Sequence, residues 1–191
     1  MIADYHFLLN WYVDENTWDL MALLSFHKYA DVNRWREIER ISPGGLTEES
    51  LRLGAPGNTY SADLTWHGVG PVAKNDSSKS VFFVIPYDVV NLEEYKPYVA
   101  GYVVPQIEGW IKEGVLSSYS LYLNRYYAGK PWDSLLVLEY KDMESFGQRE
   151  KVVAKVRAAL SADTKWKTLS DNKKNIRTEK ETVLADELFA R

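Results

Sequence analysis

The stretch Ser80 to Tyr140 constrains this chain most, because it reads as a strand, a long helix and two further strands in direct succession. Val81-Phe82-Phe83-Val84-Ile85 is a near-continuous apolar run, the pattern of a strand buried on both faces in the middle of a sheet. Asn91 then suits a helix cap with Glu94 three residues on. Leu92, Tyr95, Val99, Tyr102, Val103, Ile107 and Trp110 make one apolar side, and Gly114 is placed to end the helix. Pro105 falls inside this pattern and removes a backbone hydrogen bond at a cost of about 3 kcal/mol, which predicts a kink around Gly101 to Pro105. Val115 to Tyr127 and Trp132 to Tyr140 follow as strands joined at Ala128-Gly129-Lys130-Pro131, a hairpin by length and turn chemistry.

The rest of the chain completes the order. Asp142 caps a helix carrying Phe146, Val153, Val156 and Leu160; a second helical piece groups Trp166, Leu169, Lys173 and Ile176; and Glu181 to Phe189 reads as a last strand with Val183, Ala185 and Phe189 on one face. The order βαββαβ predicts an α+β fold, the ferredoxin-like antiparallel sheet with its helices on one face. The other face would expose a large apolar patch if left wet, so it must meet a partner sheet, a ligand or the N-terminal segment.

Ahead of this lies a segment with a different rhythm. Tyr5 to Val13 predicts a strand, and Asn16 a cap for a helix with Trp18, Met21, Ala22 and Phe26 on one stripe. Asp31 caps a second helix through Val32, Trp35, Ile38 and Ile41, closed by Ser42-Pro43-Gly44-Gly45. One more helical turn at Leu46 to Leu53 leads to a strand, Thr59 to His67. The division expected is therefore a βααβ unit over residues 1–67, a linker over 68–79 with turn-forming composition, and the ferredoxin-like domain over 80–191. Gly68 and Gly70 are no dinucleotide fingerprint, since the third glycine is missing. Asn75-Asp76-Ser77 matches a glycosylation sequon, a three-residue pattern that arises by chance.

Composition excludes several function classes. The 27 acids outnumber the 23 bases for a net charge of -4, so no basic field exists to condense on nucleic acid. Apolar runs such as Phe7 to Leu9 and Val81 to Ile85 are far short of the roughly 20 residues of a membrane helix, so no membrane partner is expected. Met1-Ile2-Ala3-Asp4 lacks a basic n-region, which leaves the compartment open, cytoplasmic by default. Without cysteine there is no disulfide, thiolate zinc site or cysteine nucleophile. The three histidines, His6, His27 and His67, lack metal-site spacing, and no metal or other cofactor is called for. His67 alone could serve as a haem ligand, against the ordinary reading of a hydrogen-bonded surface histidine. Hydrolase and kinase motifs are missing.

Residues 80–188 resemble the dimeric α/β-barrel superfamily. The resemblance rests on the strand Val81 to Tyr87, the Leu92 to Gly114 helix with Val104-Pro105-Gln106, the strand Leu121-Tyr122 to Arg125-Tyr126, the strand Asp133 to Tyr140 and the late Arg177-Thr178-Glu179. It implies two ferredoxin-like sheets packed face to face, between two chains or within a duplicated one, in a superfamily containing oxygenases, haem-degrading enzymes and binding proteins. Residues 12–58, with Asp14-Glu15-Asn16-Thr17-Trp18-Asp19-Leu20, Trp35-Arg36-Glu37-Ile38, Pro43-Gly44-Gly45-Leu46 and Pro56-Gly57-Asn58, resemble a degenerate lysin motif. That resemblance implies glycan binding through Trp18 and Trp35; the alternative reading of the unit is an atypical ferredoxin-like repeat.

Strand periodicity splits the tyrosine-rich hairpin strand into two faces, Tyr119, Leu121, Leu123 and Arg125 on one, Ser120, Tyr122, Asn124 and Tyr126 on the other. The aliphatic set should lie under the helices. Tyr122, Asn124 and Tyr126, joined by Tyr87, Glu139 and His67, are the pocket candidates, able to orient a flat aromatic or oxygenated molecule and take a proton from it. The expectation is a homodimeric small-molecule-binding or oxygenase-like barrel. The rivals are a glycan-binding module with a dimerising barrel and a structural assembly subunit without catalysis.

Overall fold

The computed structural model describes residues 2–71, 79–126 and 129–188; most of the expected linker, Asn75-Asp76-Ser77, Tyr127 and Phe189 lie outside the described residues. The strands are β1 (Ile2–Asn10), β2 (Leu20–Phe26), β3 (Ala62–Val69), β4 (Val81–Val89), β5 (Leu116–Asn124), β6 (Ser134–Tyr140), β7 (Arg177–Glu179) and β8 (Val183–Glu187). The α-helices are α1 (Tyr29–Ile41), α2 (Glu48–Leu53), α3 (Leu92–Tyr98), α4 (Val104–Lys112), α5 (Met143–Gly147), α6 (Arg149–Leu160) and α7 (Thr164–Ile176). All strand pairs are antiparallel, in the order β2-β1-β8-β4-β6-β5-β3, with β7 pairing β4 beside β8.

The central part, β8-β4-β6-β5, has the strand order of a ferredoxin-like sheet, and its connections are the expected βαββαβ. Asn91 caps α3 by accepting from the Glu93 N–H, and Asp142 caps α5 by accepting from the Ser145 N–H. Gly114 takes the left-handed conformation at φ 81° just past α4. The long helix is not interrupted at Pro105. A π-helical stretch, Val99–Val103, joins α3 to α4 and absorbs the missing N–H within continuous helical backbone.

The helices cover one face of the sheet. Their core includes Tyr95, Tyr98, Tyr102, Ile107 and Trp166 against Ile85, Leu121, Leu136 and Leu138, all buried. Tyr95, Tyr98, Tyr102 and Trp166 form a continuous aromatic ladder with ring centroids 5.0–6.0 Å apart. At Gly109 a Cβ would lie 2.5 Å from Val156, so glycine is what lets α4 approach α6 so closely.

The N-terminal segment differs from the βααβ expectation. Leu20 to Phe26 is strand β2, not a helix, and it pairs with β1 along its length. The reason lies in Asp14, whose Oδ1 accepts from the Asn16 N–H, the Thr17 N–H and the Thr17 hydroxyl. That Asx-type turn reverses the chain into a hairpin, so the capping signal read at Asn16 belongs to a turn. Asn10, buried, ties the loop down by donating to the Trp18 carbonyl and the Thr17 hydroxyl. The second helix begins earlier than expected, capped at Lys28, with Asp31 in its first turn.

The segment also does not close on itself as a lysin motif would. β1 pairs with β8 at one edge of the central sheet, and β3 pairs with β5 at the other. The sheet curls so that these edges approach each other. Tyr29, three residues after β2, meets Asp63 of β3, and Arg125 contacts both while its guanidinium lies 4.3 Å over the Tyr29 ring. Among the described residues no helix is long and apolar enough to cross a membrane.

Candidate functional site

The curl gives the sheet an inner face, turned away from the helices. Its floor is apolar: Leu8, Phe82, Val84, Leu135, Val137, Val183 and Ala185 are buried together, with Trp18, Met21, Leu23, Tyr122 and Trp132 packed around them. Register and alternation place Ser118, Ser120 and Tyr122 of β5 and Glu139 of β6 on this face, because Ser120 pairs with Val137 and Tyr122 with Leu135. His67 of β3 joins them opposite Ser120.

Polar groups frame that floor at one end. His6 Nδ1 lies 2.6 Å from Glu187 Oε1, and since a carboxylate only accepts, the imidazole N–H donates. The bond to Glu187 holds the His6 pKa above its ordinary 6.5, the partial burial of the ring opposing it, with smaller contributions from Asp4 and Glu139. Glu139 is half-buried and fully engaged: Oε1 accepts from the Ser80 hydroxyl at 2.8 Å, Oε2 from the Ser118 hydroxyl at 2.6 Å. The Phe82 ring sits between these carboxylates, opposite Glu139 in register and 6.1 Å from the His6 ring.

Tyr122 lies further along the floor. Burial raises its hydroxyl pKa, a hydrogen bond with Ser120 opposes this, and the Asp4 carboxylate raises it further. His67 Nδ1 donates to the Tyr119 carbonyl at 2.9 Å and also lies 3.1 Å from the Ser120 hydroxyl, which fixes its tautomer.

The predicted pocket residues therefore separate. Tyr122, Glu139 and His67 share the inner face. Tyr87 does not: it alternates with Val81 and Ile85 onto the helix side, where it is buried with the Arg177 guanidinium 3.8 Å over its ring. Burial there pushes its phenol pKa well up, with Arg177 opposing. Asn124 is buried at the strand end with its amide used by the backbone, donating to the Trp132 carbonyl and accepting from the Tyr126 N–H. It borders a cleft of about 180 Å³ shared with Leu92, Lys130 and Asp133 at the hairpin end. Tyr126 is 62% exposed beyond β5. Trp18 packs at the rim of the inner-face floor, whereas Trp35 on α1 packs on Phe26, ring centroids 6.2 Å apart.

Sequence reasoning missed His6, Glu187, Ser80 and Ser118. The first pair is separated by 181 positions, and only the β1–β8 pairing joins them. The one local signal is the alternation Asp4, His6, Leu8, Asn10, which puts all four on one face of a strand.

No family model matches the chain, and no curated protein matches it. Solved structures do. A putative monooxygenase from Fusobacterium nucleatum subsp. nucleatum superposes with a TM-score of 0.56 at 16% identity, covering 97% of this chain and 76% of that one. A putative monooxygenase from Lactobacillus acidophilus gives 0.54 at 8% identity over 96% and 77% of the two chains. An anthrone oxidase-like protein gives 0.62 at 6% identity over 98% and 77%. The alignments span nearly the whole chain, N-terminal strands included, and at these identities the likeness is one of fold: an α+β architecture with an antiparallel curled sheet backed by helices.

Proposed function

We propose that the inner face of the sheet binds a small, flat, oxygenated molecule and that His6, held by Glu187, exchanges a proton with it in an oxygenase-like reaction. The observation that carries this reading is the His6–Glu187 pair set beside the serine-clamped Glu139 at the end of an apolar floor. An apolar floor with a few convergent polar groups at one end suits a planar ligand that keeps its oxygens at that end. With Nδ1–H held on Glu187, His6 has Nε2 left for proton transfer, 3.5 Å from the exposed Asp4 carboxylate, and the two carboxylates stabilise the imidazolium that results.

Proton removal from a ring methylene next to carbonyl or phenol groups gives a delocalised carbanion that dioxygen can oxidise. In the balanced reaction the CH₂ becomes C=O, dioxygen supplies that oxygen atom, and its second oxygen leaves as water with both hydrogens. The fold shared with putative monooxygenases and an anthrone oxidase-like protein supports this reaction class. The test is titration with anthrone and with a planar phenol, followed by histidine NMR and by dioxygen consumption. Binding that shifts His6 and is weakened at least ten-fold by His6→Ala is expected; a ligand that leaves His6 unmoved overturns the site.

Self-association belongs to the same reading. The outer side of the β1–β2 hairpin carries Tyr5, Leu9 and Leu20, which are 52%, 42% and 50% exposed, and β2 is an edge strand. Light scattering at micromolar concentration should give a dimer. A monomer removes this part of the reading and leaves the His6 site standing.

A further inference from the structure

A second polar cavity lies on the opposite side of the sheet from His6, between the helices and the strands. It has a volume of about 50 Å³ and is lined by Gln106 and Trp110 of α4, Arg149 and Arg157 of α6, and Arg177 and Glu179 of β7, over a base from β4 and β6 that is apolar except for the Tyr87 phenol, a hydrogen-bond partner of Arg177. Three guanidinium groups thus share a small space with one carboxylate. Arg149 also contacts Glu150, which is exposed, and lies 4.9 Å over the Phe83 ring.

The hydrogen bonding of this lining is unbalanced in one direction. Arg177 Nε donates to the Tyr98 hydroxyl at 3.0 Å, but its buried Nη1 has no acceptor. The buried Nε of Arg149 and the indole N–H of Trp110 have none either. Among the described residues only one other buried side-chain nitrogen is unpaired, that of Trp11, so three of the four belong to residues that line this cavity. Gln106 cannot relieve them. Its Oε1 accepts from Arg157 Nε at 2.7 Å and its Nε2 donates to the Tyr102 carbonyl at 3.0 Å, so both ends of the amide are occupied.

Buried cationic N–H groups without acceptors are costly, and the partner that satisfies them best is an anionic oxygen. Guanidinium groups on separate elements around a cavity of this size match an oxyanion of a few heavy atoms rather than an extended ligand. We propose that this cavity is a binding site for a small oxyanion, phosphate or carboxylate, either free or as the charged end of a larger molecule reaching in past Arg157, which is exposed at the rim.

The full chain is titrated with inorganic phosphate and, separately, with acetate, each against chloride at matched ionic strength. The readout is the Trp110 indole N–H resonance, identified by its loss in Trp110→Phe. Saturable movement with either anion, weakened at least ten-fold in Arg157→Gln and unchanged in Lys167→Gln, an exposed position of α7, is expected; because Arg157 also holds the buried Gln106 amide, urea denaturation of Arg157→Gln checks that the fold is kept. Movement with phosphate alone identifies a tetrahedral oxyanion, and movement with acetate as well identifies carboxylate-bearing ligands. An indole signal that neither anion moves beyond chloride, or that moves equally in Arg157→Gln, overturns the site.

Discussion

Residues 2–71 and residues 79–188 build the same sheet by different means. The later segment supplies nearly all of the buried side chains, including the aromatic ladder and the helices that carry it; the earlier one supplies two buried residues, Leu8 and Asn10, among those described. Helix α1 and helix α2 bury none of their residues. What the N-terminal segment contributes is backbone: β1 caps the β8 edge and β3 caps the β5 edge, so both edges of the ferredoxin-like sheet are hydrogen-bonded by the same 70-residue stretch. One segment is held by burial and the other mainly by ladder hydrogen bonds. The candidate site sits where they meet, with His6 from the first and Glu187 and Glu139 from the second.

The largest effect should come from the ladder on the helix side. Trp166 is buried, its indole N–H donates to the Tyr102 carbonyl at 3.2 Å, and its ring lies 5.0 Å from that of Tyr102. Trp166→Ala should lower unfolding stability by about 3–5 kcal/mol in urea denaturation, through lost burial, a cavity and the lost indole hydrogen bond. A loss under about 1 kcal/mol would show that the helix layer is not the stabilising half.

Leu8 tests the exception. It is fully buried on the inner face beside Phe82 and Val84, the one buried apolar side chain that the N-terminal segment supplies among the described residues. Leu8→Ala should cost about 2–3 kcal/mol, at the low end for leucine because half-exposed neighbours such as Met21 and Leu23 can collapse inward. Full stability in this variant would mean that β1 rests on the sheet without docking into it.

The same contrast explains what could be read from the sequence. Residues 80–188 were legible because periodicity and burial agree there: the apolar run at Val81, the cap at Asn91, the glycine at Gly114 and the alternation around Leu121 each report a real contact. In residues 2–71 the interactions that join the segment to the central sheet are backbone pairs with distant partners, 49 to 62 positions away for β3 with β5 and 175 to 179 for β1 with β8, which leave no pattern in side chains. A stripe such as Met21, Ala22 and Phe26 then suits helix and strand alike, and only the Asp14 turn decides. Tyr87 failed for a related cause: in a strand that is apolar on both faces, side chains do not announce which way they point. The site was half legible for the same reason, since Tyr122 and Glu139 follow from alternation but the His6–Glu187 pair exists only through the pairing of the first strand with the last.

That pair makes a smaller, pH-dependent contribution. The folded His6 pKa is raised above the 6.5 of a free histidine, chiefly by its bond to Glu187. A raised folded value means that protonated His6 favours the folded state, so its contribution is fully present below pH 6.5 and is lost as pH rises through the folded pKa. Histidine NMR should show His6 titrating above 6.5, and Glu187→Gln should bring it back toward that value and flatten the stability slope in that window. An unchanged titration in Glu187→Gln would separate the two segments at the site where they are argued to meet.

The smallest effect should fall on the helices of the N-terminal segment. Ile41 at the end of α1 and Leu53 at the end of α2 are 85% and 91% exposed, so replacing either by serine removes almost no buried apolar area. Each should change stability by no more than about 0.5 kcal/mol, the ordinary range for surface positions. The value of so small a number lies in its sign and its concentration dependence. An isolated chain gains nothing from these side chains, whereas a dimer that covered α1 or α2 would lose stability in proportion to the area it had buried. Denaturation of Ile41→Ser and Leu53→Ser at two protein concentrations a hundred-fold apart distinguishes the cases. Coincident curves keep α1 and α2 as solvated connectors and leave the outer side of the β1–β2 hairpin as the self-association face; a loss that grows with concentration moves that face onto the helices.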